Sequence, residues 1–318
     1  MGRMTFLADG VYLGGPEVDR GTVRCARTEL GATVFVGNHA VIPAGVRVSE
    51  SVLIGVSTVA SASMRPGTAW FGHPPFALTR RAPTRWGAGA THEPSMVRYI
   101  NRLGWEWLRF ALPIVPMIVA AIWGAALGAA SDDWSMPVFV FGVLPAVTAA
   151  AGAGLALLVL AMKWLLLGRV QPGEHPLWSC WCSRWDFLYV AWGQLAGPVL
   201  SGLEGTLWLH WYLRAMGARI GRRVALGDGF AQMVDPDMLE IEDDATVQAQ
   251  FQAHTFEDRV LKIDRVRIRR GATVSAGVVL LYGADLGAGA SVAAHSVVMK
   301  GEHLRAGRAY AGCPTQEM

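Results

Sequence analysis

A chain of 318 residues that is 52% hydrophobic and only 17% charged, with 13 tryptophans and a mean hydropathy of +0.31, is too apolar for an ordinary soluble domain. So many indoles suit a protein with membrane–water interfaces to line. The net charge of +3 is small and scattered, which excludes a nucleic-acid-binding surface, and the length allows two domains of about 100 residues beside a membrane segment.

The first element in chain order is a repeat. From Leu30, apolar residues return at Val36, Ile42, Val48 and Ile54, a step of six. Small or β-branched companions stand at Val34, Ala40, Val46, Val52 and Thr58. An α-helix needs spacings of three and four and an ordinary strand needs alternation, so neither fits. Three such hexads make one coil of a left-handed triangular β-helix, with the aliphatic residue on the axis and the small one at the inner wall. His39 lies within this run and reads as a coil-surface residue. The block closes with Gly67-Thr68-Ala69-Trp70-Phe71-Gly72-His73-Pro74.

Next, Phe110 to Ala130 runs for 21 residues without a charge, long enough to cross a hydrocarbon core of about 30 Å. An acidic turn at Asp132 and Asp133 leads to a second uncharged run from Pro137 to Met162. The predicted spans are 109–130 and 138–166. Arg80, Arg81, Arg85, Arg98, Arg102 and Arg109 precede the hairpin, and Lys163, Arg169 and Arg184 follow it. That asymmetry predicts a multi-pass protein of the inner (cytoplasmic) membrane with both β-helical lobes in the cytoplasm. The stretch 187–213, interrupted by Gln194, Gly197, Pro198 and Glu204, is expected to form interfacial helices. Cys180 and Cys182 with His175 offer too few ligands for a closed shell, so no metal is expected.

The hexads resume with Ile241 and Val247, whose companions are Ala245 and Phe251, and run on through Ile268, Val274, Leu280, Leu286, Val292 and Val298. Companions there are Ala272, Val278, Ala284, Ala290 and Ser296, and Ala306 to Pro314 closes this block as the first was closed. His295 reads like His39. The expected fold is mainly β with membrane helices: a lobe over 1–90, a membrane region over 91–215 and a second lobe over 216–318. The acidic residues Asp235 to Asp244 read as a solvated face. Arg219, Arg222 and Arg223 suit either lipid headgroups or plain solvation.

The long interruption Gln248–Arg259 is the place for chemistry, because regular coils of a solenoid are filled by packing. His254 has the near-neutral proton affinity of a general base; Glu257 or Asp258 is the expected partner that orients its ring, and Arg259 suits a carboxylate. Gln248 and Gln252 are candidate substrate contacts.

Leu213 to Val224, Phe256 to Leu261 and Val298 to Glu302, with Leu13 to Val18 and Gly37 to Gly45 in the first lobe, resemble the C-terminal membrane region of ε-poly-L-lysine synthetase and related single-module nonribosomal peptide synthetases. The closures resemble those of hexapeptide-repeat acyltransferases. This resemblance implies condensation of an amino acid, or a growing chain, with an aminoacyl thioester held on a carrier's phosphopantetheine arm, and it implies His254 as the catalytic histidine. It also implies adenylation and carrier domains as partners in cis or in trans, a lipid bilayer, and an oligomer or pseudo-oligomer of lobes. The sequence departs from that family in containing neither an adenylation nor a carrier domain, as expected of an excised piece or a separately encoded partner, and in having two lobes and one complete helix pair instead of three of each; Gln248 and Gln252 also stand where an asparagine and a Leu-Gln-Thr-His approach are expected. An acetyl-CoA-dependent O- or N-acetyltransferase and a non-catalytic membrane scaffold are the alternative readings.

Overall fold

The structure is a computed structural model that describes residues 1–79 and 85–318; the flanking charges Arg80 and Arg81 lie outside the described residues. It divides into two compact units, Met1–Gly87 and Ala88–Met318.

The first unit is a parallel β-helix built from strands of two or three residues. Leu30 lies beside Val48 and Val36 beside Ile54, so one coil returns after three hexads. The anticipated axis residues Leu30, Val36, Ile42, Val48 and Ile54 are all buried, as are the companions Val34, Ala40, Val52 and Thr58. Strand Ala69–Phe71 ends the helix and pairs antiparallel with Phe76–Leu78. Gly72 takes a left-handed φ of 96° in that closing turn, a conformation that costs glycine nothing.

One feature of this lobe is invisible in the hexads. Leu7 pairs with Val36 and Leu13 with Ile42, 29 positions apart instead of 18. The surplus is extruded as a small antiparallel hairpin, Glu17–Asp19 with Thr22–Arg24, in which every residue is exposed.

The second unit repeats this scheme with more coils. Its three walls are a five-, a six- and a three-stranded parallel arrangement, the six-stranded one ending in the antiparallel strand Gln316–Glu317. Ile268, Val274, Leu280, Leu286, Val292 and Val298 are buried on the axis, with Ala272, Val278, Ala284, Ala290 and Ser296 buried beside them. Phe251 departs from its expected place. It pairs with Leu280, an axis residue, so the coil is cut short by two residues after Val247, and the buried Ala249 takes the companion position.

After a single helical turn at Ala88–Thr91, the longer helices are Met96–Arg109, Ile114–Ser131 and a continuous helical stretch from Met136 to Leu166 with a wide π-type turn at Phe139–Val143. Pro145, which has no N–H to return to the preceding turn, follows directly. Two helices here are long and apolar enough to cross a membrane. By contrast, the segment expected to be interfacial mostly covers the prism. Phe187, Leu188, Ala191, Trp192, Leu195, Leu200, Leu209 and Leu213 are buried in one core with Ile220, Ile241 and Val247, and its large outward apolar side chains are Leu207, Trp208 and Trp211.

Candidate active site on the second lobe

The interruption after Gln248 is not an irregular loop. Gln250–Gln252 is a wall strand of the prism, and the chain then leaves the prism as an antiparallel hairpin, His254–Glu257 with Val260–Ile263. The Asp264 N–H donates to the Ala253 carbonyl at 3.0 Å and closes its base. A third strand, Gly173–Pro176, pairs with Val260–Ile263. Residues directly opposite each other in a sheet share a face. His254 aligns with Ile263 and Gly173, and Phe256 with Leu261 and His175, so His254, Phe256 and His175 present to one side. The Cys180–Ala191 helix covers that side: the Trp185 ring meets His254 edge-on at 4.9 Å and Phe256 at 5.7 Å, and Trp181 stacks on His175 at 3.7 Å.

The partner of His254 is Asp235. The imidazole Nδ1–H donates to Asp235 Oδ2 at 2.8 Å, while the Trp185 indole N–H donates to Oδ1 at 2.7 Å. The Asp235 side chain is 1% exposed and that of His254 is 23% exposed. A carboxylate acceptor fixes the proton on Nδ1 and leaves Nε2 as the basic nitrogen. Asp235 itself is held at φ 60° and ψ 54°, a left-handed conformation directly before Pro236, which costs about 1–3 kcal/mol and persists only where surroundings impose it. Those surroundings are the helical segment: the Trp192 indole donates to the Ala231 carbonyl at 2.8 Å and Gln232 donates to the Tyr189 carbonyl at 3.2 Å.

Asp237 is buried as well. It pairs with Lys163 at 2.9 Å, both side chains 1% exposed, and accepts the Val170 N–H at 3.2 Å. A Cβ on Gly217 would lie 2.2 Å from its carboxylate oxygen, so only glycine fits there. The reading of Asp235 and Asp237 as part of a solvated face is therefore corrected, and Lys163, counted among the charges that follow the second span, is a buried partner of Asp237. The acidic segment contains the anchor between prism and helices.

Glu257 and Asp258 do not orient the imidazole. Glu257 lies on the opposite face of the hairpin from His254, bonded to Lys262 at 3.0 Å and Lys300 at 2.8 Å. Burial alone would raise its pKa, but the two ammonium groups outweigh that and hold the carboxyl below the usual range. Asp258 and Arg259 form the hairpin tip with φ of 53° and 60°, about 13 Å of strand away from His254; the Arg259 carbonyl accepts the Leu177 N–H at 2.9 Å. Gln248 is exposed, its side chain beside Gly227, and Gln252 is half-buried on the wall strand. Arg219 pairs with Glu240 and Arg223 with Asp244, a paired coil surface. His39 and His295 occupy matching turns at φ of 56° and 58°, each ring lying against a glycine, Gly10 and Gly277 respectively. Cys182 is buried, which pushes its thiol up to about 12.

Sequence reasoning missed Asp235 and Trp185. The signal that marks Asp235 is the gap in the hexads between Leu226 and Ile241, which holds Asp-Pro-Asp; nothing local marks Trp185.

Over most of its length the chain is similar in sequence to a poly-amino-acid synthetase. It is 32% identical over 298 residues to the Delta-poly-L-ornithine synthetase of Acinetobacter baumannii (strain AB307-0294), a match covering 90% of this chain and 22% of that protein. The chain thus spans about a fifth of the length of that relative. No protein-family model matches. Among solved structures, a hexapeptide-repeat acetyltransferase of Vibrio cholerae is 16% identical with a TM-score of 0.26, over 33% of this chain and 62% of that one. A serine acetyltransferase of Brucella abortus strain S19 is 18% identical with a TM-score of 0.27, over 50% and 67%. The β-helix is defined here by the strand register, not by these likenesses.

Proposed function

We propose that this chain is a membrane-bound aminoacyltransferase portion of a poly(amino acid) synthetase, with two left-handed β-helical lobes of which the second forms the amide bond. The observation that carries this is the His254–Asp235 pair, a partly exposed base with a buried, doubly bonded carboxylate behind it. His254 Nε2 takes a proton from the attacking amine as its nitrogen bonds to the carbonyl carbon of a carrier-bound aminoacyl thioester. The C–S bond then breaks, and the proton passes from His254 to the departing thiolate. Asp235 stabilises the imidazolium in between, an arrangement that contributes about 10²–10⁴-fold in rate.

The donor thioester is substrate, presented by a carrier domain's phosphopantetheine arm, and adenylation and carrier domains are the proposed partners. The helices Ile114–Ser131 and Met136–Leu166 are proposed to cross the cytoplasmic membrane, with both lobes on the cytoplasmic side. Support comes from Arg85, Arg98 and Arg169 outside the hairpin and Asp132 and Asp133 in its turn.

The test supplies the detergent-solubilised protein with free amino acid and a loaded aminoacyl carrier protein. Product from the wild type and none from Asp235→Asn or His254→Ala is expected. Turnover of acetyl-CoA without any carrier would overturn the donor assignment.

A further inference from the structure

The helix Met96–Arg109 is amphipathic the wrong way round for a soluble protein. Met96, Ile100, Leu103, Trp107 and, just beyond its end, Phe110 recur at spacings of four and three and so form one stripe. All five are exposed, Met96 by 71%, Trp107 by 68% and Phe110 by 79%. The polar stripe faces inward instead. Arg102 and Arg109 both bond to Asp186 of the Cys180–Ala191 helix, Arg109 at 2.6 Å, and Arg102 also reaches Glu106 at 2.7 Å. No residue of the helix is buried. These ion pairs, with Trp105 against Phe187 at 5.4 Å, hold this helix against the protein while its wider apolar stripe is presented to the surroundings. A soluble protein does not leave such a stripe uncovered.

We propose that this stripe lies in the headgroup and upper acyl region of a lipid bilayer, so that the helix is an in-plane element preceding the first span. The inference rests on the membrane reading above. Continuity argues for lipid over a protein partner: the stripe runs through Phe110 and a short turn into Ile114–Ser131, in which no residue is buried and Ile114, Met117, Ile118 and Ile122 are exposed. An apolar solvent covering that helix covers the stripe as well. Trp107 in the stripe and Tyr99 beside it, both exposed, are the ring types that settle at membrane–water boundaries. Arg98, Arg102 and Arg109 sit together on the side away from it, as in helices that lie on anionic leaflets. The anchor extends to the candidate site, because Asp186 follows Trp185 in the same helix.

The test places the photoreactive residue p-benzoylphenylalanine singly at Leu103, Arg98, Ile118 or Arg222, all exposed positions whose replacement leaves the core intact. Each protein is reconstituted in vesicles of phosphatidylethanolamine and phosphatidylglycerol, irradiated, and weighed for lipid adducts. Adducts at Ile118 and Leu103, with Leu103 about ten-fold above Arg98 and Arg222, are the expected result. Adducts at Ile118 with only protein cross-links or none at Leu103 would overturn the in-plane helix and leave the spans standing. Absence at both Ile118 and Leu103 would overturn the membrane reading and this inference together.

Discussion

Both lobes extrude an 11-residue surplus at the same place in the coil. In the first, Leu7 and Val36 are 29 positions apart; in the second, so are Phe251 and Leu280. The products differ. The first-lobe hairpin, Glu17–Arg24, contains no histidine and is exposed throughout. The second-lobe hairpin carries His254, gains a third strand, and is covered by the Cys180–Ala191 helix. An excursion from a β-helix is therefore not a site by itself. It becomes a candidate site where an outside element buries a carboxylate against it, and in the second lobe that element is the helical segment.

The comparison is sharpened most by the histidines. His254→Ala is expected to lower amide-bond formation by about 10²–10⁴-fold, whereas His39→Ala, at a turn of the first lobe, leaves it unchanged; initial rates with a loaded carrier measure both. A comparable loss in His39→Ala would break the distinction.

The anchor comes next. Lys163→Met strands Asp237 as an unpaired buried charge, which destabilises by about 3–5 kcal/mol. The melting temperature of the purified protein should fall accordingly. Asp237→Asn together with Lys163→Met should recover most of that loss, since no charge is then left alone. An unchanged melting temperature in the single variant would show that the segment is held by other contacts.

A smaller effect concerns Glu257. Its folded pKa lies below its unfolded value of 4.5, so between the two the unfolded chain binds more protons. Its stabilisation is full above the unfolded value and is lost as pH falls through the folded one. Glu257→Gln should flatten that acid limb of melting temperature against pH. A retained limb would assign it to other carboxylates.

The smallest effect is expected from replacing Glu17–Arg24 by a short glycine-serine turn. Nothing buried is removed, so stability should change by less than about 1 kcal/mol and activity not at all.

What was legible in the sequence follows from the same physics. Axis residues such as Val36 and Leu286 announce themselves because a coil wall repeats its burial every six residues. The first-lobe hairpin escaped because the Leu7–Val36 offset is not a multiple of six, so the hexad count starts only at Leu30. Phe251 was misplaced by the two-residue cut ahead of the second hairpin. His254 stands out as a candidate because it lies in a long break. Asp235 does not, since its partners lie 19 and 50 residues away in sequence and join only when the helical segment docks. A neighbouring carboxylate in sequence, Glu257, projects to the other face of its strand, which is why proximity in sequence misled.

The most direct test of the account is a side-by-side rate measurement of His254→Ala and of the protein whose first-lobe hairpin has been replaced, both given the same loaded aminoacyl carrier. Loss of product in the first with wild-type rates in the second is the predicted result. Product from His254→Ala at the wild-type rate would contradict the assignment of amide-bond formation to the second lobe.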